Sequence, residues 1–221
     1  MVSTDVPTEI ELRDILPVAI FERVRDRWGP MVWRVKAARR VEFSHLSVLF
    51  ESRTTALWQI HEVLRVESRT STGDIQREID EYARLVPGPG VLTATLSIHA
   101  GSAAVGEVFS RELDTGLICL EVGAHRCPCR RLDPDDREPA AIHYIAFDVT
   151  ESAQAALHAG EPGWLRVESS VGCERLPLGP ETRASLLETL DLGRPPRPSA
   201  DEPSSDTFIP ILNADQTWPS W

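Results

Sequence analysis

Between Arg39 and Leu96 the chain alternates strand-like apolar runs with stretches in which apolar residues recur at the three- and four-residue spacing of one helix face. His45–Phe50 (HLSVLF) has the composition of a strand, and Arg53-Thr54-Thr55 then offers hydroxyls that can cap a helix running to about Ser68. The apolar face of that helix is Ala56, Leu57, Ile60, Val63 and Leu64, with Trp58, Gln59, His61, Glu62 and Arg65 opposite. After the Ser-Thr-Gly break, Asp74 can cap a further helix that buries Ile75, Ile79, Tyr82 and Val86, and Pro87-Gly88-Pro89-Gly90 stops it. Val91–Ile98 alternates as a strand.

The flanks extend the pattern. Ile10–Leu16 is a short lead-in, and Pro17 opens a helix with Ile20, Phe21, Val24 and Trp28 on one face, which Gly29-Pro30 is expected to end. A second short helix should follow, with Met31, Val35 and Ala38 inward and Arg34, Lys36, Arg39 and Arg40 toward water. Downstream, Ala103–Leu113 reads as a helix, Gly116–Val122, Ile142–Val149 and Trp164–Ser169 as strands, and Thr150 as the cap of a helix over Gln154–His158. Pro180–Leu190 is the last convincing helix. Strands separated by helices of irregular length, without a regular βα repeat, predict an α+β fold, a mainly antiparallel sheet covered by helices.

One domain over residues 1–192 accommodates these elements, followed at 193–221 by a Pro-rich linker and a segment carrying Trp218 and Trp221. That aromatic segment has two readings: it docks on its own domain or a sister chain, giving a homo-oligomer, or it recognises a protein partner. The net charge of -11 over 221 residues argues against broad contact with nucleic acid or an anionic membrane. The N-terminus lacks the basic start and apolar core of a secretory signal, and no apolar run approaches the roughly 20 residues of a membrane span, so the expectation is a cytoplasmic protein. In that setting Cys119, Cys127, Cys129 and Cys173 are expected as free thiols.

Candidate chemistry is scattered. His61-Glu62 begins an H-E-x-x-H zinc motif, but Arg65 stands in the place of the second histidine, so the helix cannot offer two imidazoles one turn apart. Gln59, Glu62 and Arg65 either hold a small polar ligand or form a solvated face with a local Glu62–Arg65 pair. His125-Arg126-Cys127-Pro128-Cys129 supplies a donor set for zinc, copper or iron. The same cysteines read otherwise as a redox-active thiol pair or as incidental loop residues. His143 lies among strand hydrophobes, as a ligand or as a hydrogen-bonded sheet residue. Glu51 follows a strand, either as a general base or metal carboxylate or as the ion-pair partner of Arg53. Walker, dinucleotide-binding and serine-hydrolase signatures are missing from the sequence.

The combination Arg39-Arg40-Val41, Leu49-Phe50-Glu51-x-Arg53-Thr54, Gln59-x-x-Glu62-x-Leu64-Arg65-x-Glu67 and later Tyr82 and Pro87 resembles a bacterial domain-of-unknown-function family. Val122–His125 and Ile142–Phe147 are similar to that family's later strands, so the resemblance spans roughly residues 10 to 190, while the cysteine cluster and the tail look like additions to it. Members are often encoded beside rubrerythrin-like and iron-sulfur oxidoreductase proteins. The resemblance therefore implies a redox-associated role, with Glu51, Gln59, Glu62, Arg65, His125 and His143 as the residues of a shared activity. The leading expectation is a cytoplasmic redox-associated protein that binds a metal or small ligand and, if it is catalytic, does metal-dependent oxidative chemistry on a small molecule or peptide. In it Glu51, Glu62 and Arg65 are catalytic, Arg53 and Gln59 bind ligand, and His125, His143, Cys127 and Cys129 hold iron, copper or zinc. The alternative is a non-catalytic adaptor that engages a partner enzyme through its aromatic tail.

Overall fold

The computed structural model describes residues 9–99, 103–132, 141–170 and 172–191. The aromatic tail lies outside the described residues. After a short 3-10 turn at Leu12–Asp14 come α1 (Val18–Ala38), β1 (Arg40–Glu42), β2 (Leu46–Phe50), α2 (Arg53–Val66), α3 (Thr72–Ala83) and β3 (Val91–Ile98). The chain continues through α4 (Ala103–Glu112), β4 (Ile118–Val122), β5 (His125–Arg131), β6 (Ile142–Asp148), α5 (Glu151–His158), β7 (Gly163–Ser169), β8 (Gly172–Pro177) and α6 (Pro180–Asp191). The eight strands form one antiparallel sheet in the order β1-β2-β3-β6-β5-β4-β7-β8, so the α+β fold expected from the pattern is the one observed. The sheet curls toward a barrel, and the β1–β2 turn meets β8 where Ser44 donates from its backbone to Glu174 at 3.2 Å. Alternate residues such as Val48, Phe50, Leu96, Phe147 and Leu120 point into the curl. There they join Phe109, Leu113, Leu157 and Leu186 from the helical segments in the main core.

The helix-breaking pair Gly29-Pro30 does not end α1, which runs unbroken from Val18 to Ala38. Pro30 removes one intrahelical hydrogen bond, normally a cost of about 3 kcal/mol. Packing offsets it. Phe21, Trp28 and Val32 of α1 enclose Trp58 of α2, and a Cβ at Gly29 would stand 3.3 Å from the Trp58 ring, so glycine is what lets the helices approach. The same seam buries His61, which the helical pattern had placed on a polar face. Its ring stacks on Phe21 at 4.8 Å, its Nε2 accepts the Leu16 backbone N–H at 2.9 Å, and its Nδ1–H therefore donates to the Leu57 carbonyl at 2.8 Å. Burial holds this imidazole below its usual titration range.

Arg39, expected in water, is 2% exposed. Its guanidinium donates to the Phe50 carbonyl at 2.8 Å, the Glu51 carbonyl at 2.6 Å, the Ser185 hydroxyl at 2.6 Å and Thr189 Oγ1 at 3.0 Å. One side chain thus ties the end of α1 to the end of β2 and to α6, and burial pushes its pKa down to about 10. The caps also sit earlier than the sequence suggested. Ser52 and Thr55 form the reciprocal cap of α2, and Ser71 rather than Asp74 caps α3.

Three strands had no counterpart in the hydrophobic pattern: β1, β5 and β8. In β5 (HRCPCRR), Cys127, Cys129 and Arg131 alternate inward, so the cysteines are strand core rather than loop. Pro128 is tolerated because the pairing of β5 with β6 begins only at Cys129, which leaves the proline bonded across to β4 alone.

Candidate functional site

The outer face of the β1-β2-β3-β6 half carries a set of polar side chains from several elements. Register places Arg40, Leu49, Thr95 and Tyr144 in one row across the four strands, with Ser47 and Ser97 paired in the row beside it. Glu51 follows β2 directly, and its backbone N–H still bonds Thr93 of β3 at 2.8 Å. Its carboxylate accepts from Thr95 Oγ1 at 2.6 Å and from Thr55 Oγ1 in the first turn of α2. One turn further along α2, Gln59 meets the hydroxyl of Tyr82 from α3, and Tyr82 meets Tyr144. From α1, Lys36 stands within electrostatic reach of Glu51, Glu62 and Arg40. Three helices and four strands therefore contribute to one half-buried cluster.

The electrostatics of the cluster are uneven. Glu51 is 6% exposed, yet among the described residues its carboxylate is held by hydroxyls rather than by a cation. An ionised carboxyl has about four acceptor positions, and two of them are used. Lys36 makes no hydrogen bond or ion pair among the described residues; its ammonium lies 5.8 Å from the centre of the Trp33 ring. Burial pushes this amine below its usual range, the charge of Glu51 pulls it back up, and Arg40 adds to the lowering. Arg40 itself donates to Ser47 Oγ at 3.2 Å and lies 3.6 Å from Glu42. Burial raises Tyr144 to about 12 and moves Tyr82 in the same direction, so both phenols stand as neutral donors at ordinary pH.

The residues singled out from the sequence divide between places. Glu51 and Gln59 belong to this cluster. Glu62 borders it but is already matched, by Arg25 of α1 at 2.6 Å and Arg65 at 2.8 Å. Burial alone would raise its pKa; hydrogen bonds from the two arginines hold it below the usual carboxylate range. Arg65 turns from the cluster toward Glu62 and Glu22. Arg53 pairs with Asp14 at 2.7 Å instead of Glu51, and donates to the Glu9 carbonyl, which fastens the N-terminal lead-in to α2.

The expected metal residues are not gathered with the carboxylates. His143 points to the inner side of the sheet, where its Nε2 lies 2.9 Å from Ser110 Oγ and its Nδ1 3.2 Å from Arg131. A guanidinium only donates, so Nδ1 accepts, Nε2 carries the proton, and Ser110 receives that hydrogen bond. This order is the reverse of a serine activated by a histidine base. Arg131 completes the network by binding Asp114 at 2.8 Å and the Ser110 carbonyl. His125 begins β5 six residues before Arg131, about 20 Å of extended strand away, and lies 3.5 Å from Ser152. Cys127 and Cys129 are in the apolar core; burial raises both thiols, Cys129 to about 11, which keeps them protonated and poor as ligands or nucleophiles. All four cysteines are free, and among the described residues no group of three or more His, Cys, Asp or Glu side chains is placed to hold a metal ion.

Residues 9–190 match the family described as "Protein of unknown function (DUF3501)". The chain belongs to the DUF3501 family. It is also similar to a solved structure from Burkholderia pseudomallei K96243, described as a novel protein of unknown function. The two share 27% identity at a TM-score of 0.74, over 82% of this chain and 99% of that one. No curated protein matches the sequence. Among the described residues no helix of this DUF3501 chain is long and apolar enough to cross a membrane.

Sequence reasoning missed Lys36, Arg40, Thr95, Tyr82 and Tyr144 as members of the cluster. Thr95 and Tyr144 become neighbours of Glu51 only through strand register, which no local pattern encodes. Lys36 did carry a signal: it is the one lysine in the chain, beside 22 arginines.

Proposed function

We propose that the outer-face cluster binds a small polar molecule carrying an anionic group. The observation that supports this is a half-buried cluster in which Glu51 is bonded only to threonine hydroxyls among the described residues, Lys36 has no bonded partner there and Arg40 faces Glu42, while the buried Arg39, which feels the charge of Glu51, spends its donors on carbonyls and hydroxyls. Leaving buried charges apart costs stability unless something completes them. A ligand with an anionic end at Arg40 and a hydroxyl or amino donor at Glu51 satisfies both, and Gln59, Tyr82 and Tyr144 offer neutral hydrogen bonds between. Glu51 is then the acceptor for the ligand's donor proton, the role of a general base.

This reading keeps the small-molecule part of the earlier expectation and sets aside its metal. A histidine–carboxylate centre would need His143 on the same side of the sheet as Glu51, and they lie on opposite sides.

Thermal unfolding with a panel of small hydroxy acids, amino acids and phosphate esters tests the proposal. A ligand present at a hundredfold excess over its Kd stabilises the fold by about 2.7 kcal/mol. At least one anionic compound should raise the Tm of the wild-type protein, and Arg40→Met and Glu51→Gln should each abolish the shift. A panel without effect, or an equal shift in both variants, overturns it.

A further inference from the structure

We propose that the exposed face of α1 is the docking surface for the aromatic C-terminal segment of the same chain, residues 208–221.

Burial defines the surface. α1 packs Phe21 and Val32 against Trp58 of α2, so its opposite face looks outward. Ile20, Arg23, Arg27, Met31 and Arg34 follow one another at offsets of three, four, four and three, the spacing of a single helical stripe, and all five are exposed. A helix face turned to water is normally polar, yet isoleucine and methionine take two of these five places. Trp33 flanks the stripe and is 65% exposed. Six large hydrophobic side chains stand exposed among the described residues, and Ile20, Met31 and Trp33 of this one helix are half of them. Apolar side chains scattered singly over a surface need no partner, whereas three on one helix make a patch that a partner can cover.

Charge identifies what covers it. Arg23, Arg27 and Arg34 have no carboxylate partner among the described residues, and Asp26 alone beside them leaves the face at +2 on a chain whose net charge is -11. Glu22, further round the helix, is taken by Arg65 at 3.6 Å. The C-terminal segment has the complementary chemistry. From Pro198 to Trp221 the chain carries Asp201, Glu202, Asp206 and Asp215 with no lysine or arginine, while Phe208-Ile209-Pro210-Ile211-Leu212 and the two tryptophans supply apolar surface.

The path of the chain makes the contact intramolecular. α6 ends at Asp191, close to where Ser185 and Thr189 accept hydrogen bonds from Arg39 at the end of α1, so the chain leaves α6 beside α1. Met31 lies eight residues back along α1 from Arg39, about 12 Å at the helical rise. Seventeen residues separate Asp191 from Phe208, up to about 55 Å of extended chain, which is ample for that distance. A segment tethered in this way meets its surface at an effective concentration of about 1 mM, so even a weak contact is mostly formed.

Hydrogen exchange on the full chain, read by mass spectrometry, tests the docking. In the wild-type protein the amides of residues 208–221 should exchange at least about tenfold more slowly than their intrinsic rates. Met31→Asp combined with Trp33→Ser should return them to those rates without changing the urea midpoint of the domain, because neither side chain is in the core. Phe208→Ser combined with Ile211→Ser should do the same from the other side of the contact, and it decides the matter if the first variant fails to fold. Intrinsic rates in the wild type overturn the docking, and protection that survives the α1 variant overturns this surface. Protection that falls when the protein is diluted tenfold assigns the segment to a second copy and overturns the intramolecular contact.

Discussion

Two polar clusters lie on opposite sides of the same sheet, and they are built to different rules. On the inner side Ser110, His143, Arg131 and Asp114 form a closed set in which each named donor meets an acceptor: His143 Nε2–H to Ser110, Arg131 to His143 Nδ1, to Asp114 and to the Ser110 carbonyl. On the outer side Glu51 keeps free acceptor capacity and Lys36 has no bonded partner among the described residues. A closed network fixes one arrangement and leaves no group over for chemistry. An open one is the arrangement a ligand can complete. The histidine and serine, which catch the eye in a sequence, are thus the structural set, and the plainer glutamate and lysine form the candidate site.

The contrast breaks first if Arg131 can be removed cheaply. Arg131→Met removes the donor to the Ser110 carbonyl and to His143 Nδ1 and takes its cation from Asp114, for an expected loss of about 3 kcal/mol in urea denaturation. Glu51→Gln keeps the shape and one accepted threonine bond, while its amide nitrogen must donate to the other hydroxyl, and should cost about 1 kcal/mol. Equal costs for the two would erase the distinction between a closed and an open cluster.

A smaller effect separates core cysteines from reactive ones. Cys129→Ser puts a hydroxyl among apolar side chains and should cost about 1 to 2 kcal/mol. In the native protein Cys173, which is exposed, should react quickly with an aromatic disulfide reagent, while Cys119, Cys127 and Cys129 wait for unfolding. Fast native labelling of Cys127 or Cys129 would return the redox thiol pair to consideration.

The seam between α1 and α2 offers a third, pH-dependent contrast. His61 is a matched group whose folded pKa lies below its unfolded value of about 6.5, because burial disfavours the imidazolium. The unfolded chain therefore binds the proton more readily, and stability falls as pH drops through the unfolded pKa toward the depressed folded one. Its contribution is whole above about pH 6.5. Denaturation midpoints should decline by the equivalent of about 1 kcal/mol between pH 7.5 and 5.5, and this decline should flatten in His61→Asn. An unchanged slope in that variant would show that the bond from Leu16 to the His61 ring is not what titrates.

Much of the fold was legible because its strongest elements carry their own periodicity: β3 runs over Val91–Ile98 as the alternation indicated, and β6, α5 and α6 fall within a few residues of expectation. What failed did so for identifiable reasons. Gly29-Pro30 is a local stop signal overridden by the Trp58 contact, and Arg39 is a charged residue buried because two strand-end carbonyls and α6 need a donor. HRCPCRR has too few apolar residues and a proline, so its inward alternation is visible only once Cys127 and Cys129 are counted as core. Of the candidate site, Glu51 and Gln59 were legible from position relative to a strand end and a helix face. Thr95, Tyr144 and Lys36 were not, because β-sheet register and the meeting of antiparallel helices bring together residues far apart in the chain.

The smallest effect is also the most telling in sign. Lys36 is the member of the open cluster whose charge the fold disfavours, since its amine is pushed below its usual range chiefly by burial. A lysine whose folded pKa lies below its unfolded value destabilises the native state at neutral pH, and the penalty fades only as pH rises through the unfolded value near 10.4. Half-exposure screens much of this, so Lys36→Met should gain at most about 0.5 kcal/mol at pH 7. The gain should shrink as the comparison is carried above about pH 10.4, where the wild-type amine becomes neutral in both states. A residue that weakens its own fold at working pH is held for something other than stability. If Lys36→Met instead lowers the urea midpoint at pH 7, the ammonium contributes to the fold after all, and the outer cluster is as closed as the inner one.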